Sequence, residues 1–445
     1  MRRLGHWVVD RVIDHFENGA DGPAIQVSSL DALKDELGGD PPEEPGEPIW
    51  AAETLVDLAV ANMQHGDHPR YFARVPSPSS FVGVVGDWLG TGFNAITSSW
   101  AGASGPATVE LVVLDWLRSQ LGLPTGTEGI LTSGGSLANL MGLVAARHEK
   151  GLGVAYLSDQ THASIKRGFI AIGFPPDHVE VLPSDADFRL SAEAVAAAVA
   201  EDRQRGRQPK FIVATAGTVN TGAVDELGPL ADLCAAEDLW LHVDGAYGAS
   251  AALCEAGRRA MIGLDRADSV VIDPHKWLFQ PYDVGCLLVR RPGALENAFD
   301  VTPEYLADTT ANPGEVDFRD RSLELTRRFR ASKLWLSFQV YGMRRIREAI
   351  ERGIALAEHA ERTLRDDDRW RIVTPARLGI VTFERPGAVE GEHAARAAAL
   401  AREGYAVVTS TAVRDRSVLR LCTINPRTTE QDIDSTLDRL ARLSV

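Results

Sequence analysis

The chain has 445 residues, 44% of them apolar, and a formal net charge of -16, so it can bury a large core and divide into one large and one or two smaller domains. The acidic balance argues against binding nucleic acid or an anionic membrane through a general electrostatic field, and a small-molecule partner fits better. The four cysteines, Cys234, Cys254, Cys286 and Cys422, form no C-x-x-C pair and lie in apolar stretches, which reads as reduced core thiols in a cytoplasmic protein and not as disulfides or a metal site.

The N-terminal run from Met1 to Arg11 starts basic, but charge interrupts it too early for a signal peptide, and no later stretch is long enough to span a membrane. Leu4, Val8, Ile13 and Phe16 fall at roughly helical spacing and predict an amphipathic helix whose apolar face needs a partner. The proline-rich, acidic run from Gly38 to Pro48 is a connector. Residues 1–80 therefore read as an N-terminal helical arm without a core of its own. From 81 to 335, apolar strands predicted at 129–132, 154–158, 179–182, 211–214, 239–244, 269–272 and 285–289 alternate with helical patterns, Ser191 standing as the N-cap of one. That alternation predicts a large α/β domain with a mostly parallel central sheet covered by helices, and a ligand beyond the carboxyl ends of its strands. Residues 336–445 open on a long helix through Leu364, followed by strands at 372–373, 379–383 and 418–423. They read as a small C-terminal α+β domain.

Three strand ends carry chemistry. Glu128-Gly-Ile-Leu-Thr-Ser-Gly134-Gly135-Ser136 reads as a strand and a small-residue turn opening a long helix, an arrangement that presents free backbone amides and a hydroxyl to an anion. Leu239-Trp-Leu-His-Val-Asp244-Gly-Ala246-Tyr247 ends an apolar strand in an acid and small residues. Ser269-Val-Val-Ile-Asp-Pro-His275-Lys276-Trp277 ends another in a lysine, costly to desolvate unless paired with a carboxylate or used covalently, for instance as an imine to an aldehyde cofactor. Together they suggest pyridoxal phosphate, with an aspartate to keep the pyridine nitrogen protonated and the turn to hold the phosphate. A structural ion pair of Lys276 with Asp273 or Asp283 is the plainer alternative.

The ordered set of Thr132-Ser-Gly134-Gly135-Ser136, Ser158-Asp-Gln-Thr-His162, Ala214-Thr-Ala-Gly-Thr218, His242-Val-Asp244-Gly-Ala246-Tyr247 and Asp273-Pro-His275-Lys276-Trp277 resembles the pyridoxal-phosphate group II decarboxylases, the aromatic-L-amino-acid and glutamate decarboxylase family. The match continues through Tyr305 and Arg327-Arg-Phe-Arg330 and runs from about His68 to the C-terminal Leu419-Arg420 segment. The resemblance implies a type I pyridoxal-phosphate fold and loss of carbon dioxide from an L-amino acid to give the amine. It gives Lys276 the covalent link to the cofactor and Asp244 the pyridine nitrogen. Ala246 and His162 lie on opposite faces of the ring, Gly134, Gly135, Ser136 and His275 hold phosphate, and Thr218 stands near the cofactor. It implies that Tyr305, in a Pro-, Gly-, Asp- and Asn-rich stretch, protonates the carbon left after decarboxylation, where phenylalanine accompanies aldehyde formation. It also implies a homodimer with the arm wrapped on the second subunit and the site near the interface.

Three departures bear on substrate and specificity. The stretches Tyr71-Phe-Ala-Arg74-Val75 and Asn94-Ala-Ile-Thr-Ser98-Ser-Trp100 are poorer in aromatic residues than those of relatives acting on catechols or indoles. Arg74 either faces an acidic side chain, as for a glutamate- or diaminobutyrate-like substrate, or is a surface arginine. Val219 stands where the family more often has a second threonine. An aminotransferase or a decarboxylation-dependent aldehyde synthase of the same fold is the nearest rival. A cysteine desulfurase is disfavoured because Cys422 lies inside an apolar run and makes a poor nucleophile.

Overall fold

A computed structural model describes residues 1–301 and 311–444. By contact density the chain forms two compact units, one of residues 77–355 with 377–379, the other of residues 1–76, 356–376 and 380–445.

The larger unit is built on a seven-stranded sheet: β1 (Glu128–Thr132), β2 (Val154–Ser158), β3 (Val179–Leu182), β4 (Pro209–Thr215), β5 (Trp240–Asp244), β6 (Ser269–Ile272) and β7 (Gly285–Val289), in the order β1-β7-β6-β5-β4-β2-β3. β2 pairs in parallel with β3 and β4, β4 with β5, and β5 with β6, whereas β7 runs antiparallel to both β6 and β1. Two reversals restore direction, so β1 to β6 all point one way and β7 alone opposes them. Every residue of β2, β5, β6 and β7 is buried, as expected of strands covered on both faces and as their unbroken apolar runs require. The register places Thr132 beside Gly285, Cys286 beside Ile272, and Thr215 beside Asp244. The carboxyl ends of β1, β4, β5 and β6 thus share one edge of the sheet.

Helices fill the crossovers. Ser191 caps Ala192–Gln204 as predicted, its side chain accepting from the Ala194 N–H. Helix Trp100–Gln120 carries Glu110, which is fully buried and meets Arg327 at 2.6 Å. Arg327 also donates to the Thr97 and Leu131 carbonyls, and Glu110 accepts from the Leu131 N–H. This pair braces β1 at Leu131, three residues before Gly134. The long helix Ala331–Arg365 is broken at Gly342, whose φ of 70° the glycine tolerates without penalty.

The smaller unit holds β8 (Arg371–Arg377), β9 (Ile380–Glu384), β10 (Thr409–Val413) and β11 (Arg416–Cys422) in the order β10-β11-β9-β8, β11 being antiparallel to β9 and β10. Leu400, Leu419, Leu421, Phe383, Trp370, Ile433 and Leu437 form its core. The N-terminal segment belongs to this unit. Phe72 is fully buried in that same core, its N–H donates to the Val407 carbonyl and its own carbonyl accepts from the Cys422 N–H. Helix Arg2–Asn18 agrees with the predicted one. His15 on it contacts Asp67 at 2.7 Å, and Asp67 in turn meets Arg427. Arg74 is exposed in this unit.

Candidate active site

The shared strand edge opens on a cavity of about 360 Å³, lined among others by Gly134, Gly135, Ser136, His162, Asp244, Ala246, His275 and Lys276. That volume is within the range of small-molecule sites. Each part owes its place to a strand end. β1 gives way to Gly134, which adopts φ 150° and sits at the N-terminus of helix Gly135–Lys150. A Cβ on Gly135 would lie 2.7 Å from Asp273 Oδ2 and 3.1 Å from the Ala246 Cβ, so only glycine allows the turn to approach the ends of β5 and β6. The helix is sixteen residues long, and its first amides have no intrahelical acceptors.

β5 delivers Asp244, which is almost wholly buried. Its Oδ1 accepts from the Ala246 N–H at 3.2 Å and its Oδ2 from Asn139 Nδ2 at 3.1 Å. The Ala246 carbonyl accepts from the Asp273 N–H, tying the β5 and β6 ends together, and Tyr247 stacks on Trp277 at 5.3 Å. β6 delivers the helical turn Pro274–Trp277. Lys276 Nζ is 2.9 Å from Asp273 Oδ2, so the plain ion pair with Asp273 is realised, in the same cavity as the anion turn and Asp244. Burial works against the ammonium, but the charges of Asp273 and Asp244 prevail and raise Lys276 above the ordinary lysine value. The Asp273 Oδ1 is buried without a hydrogen-bond partner among the described residues.

His275 accepts from the Val284 N–H on Nδ1, leaving Nε2 to carry the proton 3.6 Å from Asp273, and burial lowers its pKa, so it is a neutral donor. His162 caps helix Ala163–Ala171. Its Nδ1 lies 2.8 Å from Ser164 Oγ and accepts from the Ser164 N–H.

Thr218 is brought elsewhere. Its hydroxyl meets Thr221 at 2.8 Å and accepts from the Ala223 N–H inside its own turn, while Thr215, Gly217 and Val219 line the cavity. Val219 therefore presents an apolar wall where a threonine would present a hydroxyl. Tyr305 lies outside the described residues. Sequence reasoning gave no role to Asn139, Ser164, Gln160 or Tyr282, which line the cavity too. Asn139 stands on the helix that the turn opens, four residues beyond Gly135, and helical spacing alone would have returned it to the turn's face.

The donor set fits pyridoxal phosphate. A primary amine, a buried carboxylate held by two N–H donors, a helix N-terminus with a neutral imidazole beside it, and an alanine floor converge on one cavity, which matches an aldehyde, a pyridine nitrogen, a phosphate and a flat ring.

Comparison with known proteins agrees. The profile described as "Pyridoxal-dependent decarboxylase conserved domain" matches residues 51–385. An aromatic-L-amino-acid decarboxylase of Bacillus atrophaeus is 42% identical, over 97% of this chain and 93% of its own. A tyrosine decarboxylase of Oryza sativa subsp. japonica is 35% identical, over 86% of this chain and 76% of its own. Among solved structures, Oryza sativa TDC with PLP and tryptamine superposes with a TM-score of 0.93 at 29% identity, covering 99% of this chain and 96% of that one.

Proposed function

Since the chain belongs to the pyridoxal-dependent decarboxylase family, we propose that it converts an aromatic L-amino acid to the corresponding amine and carbon dioxide, working as a cytoplasmic homodimer. The reaction class rests on one observation, the convergence of Lys276, Asp244 and the Gly134–Ser136 turn on a single cavity. The aromatic class rests on the 42% identical relative, which matches nearly the whole chain.

Lys276 would hold the cofactor covalently, with Asp244 at its pyridine nitrogen, the amides of Gly135 and Ser136 with His275 at its phosphate, and Ala246 and His162 against its ring, while the Gly134 N–H donates to Thr132 Oγ1 at 3.3 Å and shapes the turn. Bound there, pyridoxal phosphate supplies an electron sink conjugated to the α-carbon of the amino acid, so the carboxylate can leave as carbon dioxide. Asp244, fixed by two donors, would keep a proton on the pyridine nitrogen. Lys276 Nζ, when not bound to cofactor, rests on Asp273 Oδ2 at 2.9 Å, where it stays charged and able to carry a proton. Val219 narrows the cavity with methyl groups and offers no hydrogen bond. Tyr305 is the proposed proton donor to the α-carbon.

For the dimer, support comes from exposed apolar side chains on the N-terminal segment, among them Val27, Leu30, Trp50 and Leu55. Large apolar side chains left this exposed along one short segment are what a covering second subunit would bury. For the compartment, support comes from four cysteines buried in the core.

Incubating the pure protein with each of the common amino acids while following carbon dioxide, amine, ammonia and keto acid tests the reaction. Amine with stoichiometric carbon dioxide from tyrosine, tryptophan or phenylalanine is expected. Keto acid without carbon dioxide would make the protein an aminotransferase, and release from glutamate alone would overturn the aromatic class. Sedimentation equilibrium of the same sample decides between dimer and monomer.

A further inference from the structure

Behind Asp244 runs a chain of buried polar side chains of which only Asn139, as a donor to Asp244, enters the scheme above. Trp240 Nε1 meets Ser269 Oγ at 2.9 Å, and the same oxygen meets His242 Nδ1 at 2.7 Å. His242 Nε2 meets Asn139 Oδ1 at 3.0 Å. Asn139 Nδ2 reaches Asp244 Oδ2 at 3.1 Å and Ser164 Oγ at 3.2 Å. Trp240, Ser269, His242 and Asn139 are at most 1% exposed, so water cannot substitute for a lost partner.

The Asp244 end fixes the direction of the protons between Asp244 and Ser269. Trp240 can only donate, so Ser269 accepts from it and keeps both its own proton and a second lone pair for His242 Nδ1. At the other end the Asp244 carboxylate accepts from Asn139 Nδ2, so Asn139 aims its NH2 at it and its carbonyl oxygen at His242 Nε2, which must donate; Nδ1 is then the acceptor and Ser269 places its proton there. His242 is therefore neutral with its proton on Nε2. Its complete burial, which lowers its pKa to about 4, agrees. Turning the Asn139 amide over would set its oxygen against the Asp244 carboxylate and its NH2 against the Nε2–H, two repulsive contacts at once.

We propose that Asn139 is a positioning residue, its amide locked by His242 and Ser269 so that it holds the Asp244 carboxylate charged and in place for the cofactor's pyridine nitrogen. The Ser269–His242 pair acts through Asn139 and touches neither cofactor nor substrate. The effect on turnover rests on the decarboxylase reading above, whereas the direction of the chain does not.

The test uses holoenzyme labelled with ¹⁵N-histidine and long-range ¹H–¹⁵N correlation, the His242 signals being assigned by their loss in a His242→Gln variant. Wild-type His242 is expected as the Nε2–H tautomer, and a proton on Nδ1 overturns the proposal before any other variant is made. In parallel, apoprotein is titrated with pyridoxal phosphate and followed by absorbance. Asn139→Leu, matched in size but without a donor, should weaken cofactor binding on the order of tenfold to a hundredfold, the worth of a buried hydrogen bond to a charge. His242→Gln, whose amide nitrogen can take the place of Nε2, should bind cofactor far closer to wild type than His242→Leu does. Equal affinity in those two variants would mean that packing alone matters and would refute the locking role. Wild-type cofactor affinity and the expected tautomer, in a protein that decarboxylates no amino acid, would sink the reaction and leave this inference standing.

Discussion

Asp244→Asn is the most informative single change, because the side chain keeps its shape while losing its charge and exchanging one acceptor for a donor. Both Asp244 oxygens accept from protein N–H groups, Ala246 on one side and Asn139 on the other. The new NH2 must therefore face one of two donors, and the hydrogen bond of Asn139 to His242 blocks the amide turn that would relieve the clash. A buried donor left without an acceptor costs about 1–3 kcal/mol, which should appear as a matching loss in unfolding free energy of the apoprotein. Loss of a charge-assisted hydrogen bond to the pyridine nitrogen costs a further ~1.5–3 kcal/mol, or roughly 10- to 100-fold in cofactor affinity and turnover. Denaturant unfolding measures the first effect, and absorbance titration with steady-state amine release measures the second. Pairing the change with Asn139→Asp restores donor to acceptor, so stability should recover, while activity should stay low because the charge now sits behind the site. Wild-type turnover in Asp244→Asn, or activity recovered along with stability in the double variant, would refute the assignment of Asp244 to the pyridine nitrogen.

Lys276→Ala should abolish both the visible absorbance of bound cofactor and any borohydride-stable adduct; persistence of such an adduct would place the covalent link elsewhere. Arg327→Met should destabilise the protein by about 3–5 kcal/mol in denaturant unfolding, since it strands the fully buried Glu110 carboxylate, and an unchanged midpoint would show that the pair does not brace β1. Tyr305→Phe should leave cofactor binding intact while shifting product from amine toward aldehyde, ammonia and hydrogen peroxide; amine at the wild-type rate without oxygen uptake would exclude Tyr305 as proton donor. The hydrogen bond to Asp67 raises the His15 pKa above its ordinary 6.5, and Asp67, despite burial, is held at about 2 by His15 and Arg427. The stabilisation from His15 is thus complete below about 6.5 and fades as pH climbs through the raised value, so proteolysis of helix Arg2–Asn18 should quicken on the alkaline side, and His15→Gln should remove that pH dependence.

Much of the larger unit was legible because its strands are apolar runs ending in residues that apolar runs do not need. β2, β3, β6 and β7 fall on the predicted limits, and the other three differ by a residue or two. The opposed direction of β7 was not legible, since a strand buried on both faces reads the same either way. β10 was missed because Thr409-Ser-Thr-Ala-Val413 is an edge strand, mostly half-buried and polar. Packing of residues 1–76 with the C-terminal segment depends on backbone pairing of Phe72 with Val407 and Cys422, which leaves no periodic trace in sequence. In the site, the motif residues were found by type, but Thr218 shows the limit of that method. A hydroxyl can be spent within its own turn, and only geometry tells which way it faces.

All four native cysteines are buried. Burial pushes the thiols of Cys234, Cys254 and Cys286 upward, Cys286 well above the ordinary value, so little thiolate exists for an alkylating reagent to meet. A cysteine introduced on the surface would then be the one reactive sulfur of the folded protein. Fluorophores or spin labels could be attached at chosen positions, for example at exposed Val301 beside the segment that carries Tyr305, without first stripping the native thiols from the core. Distances across that segment could thus be followed during turnover in an otherwise unaltered chain.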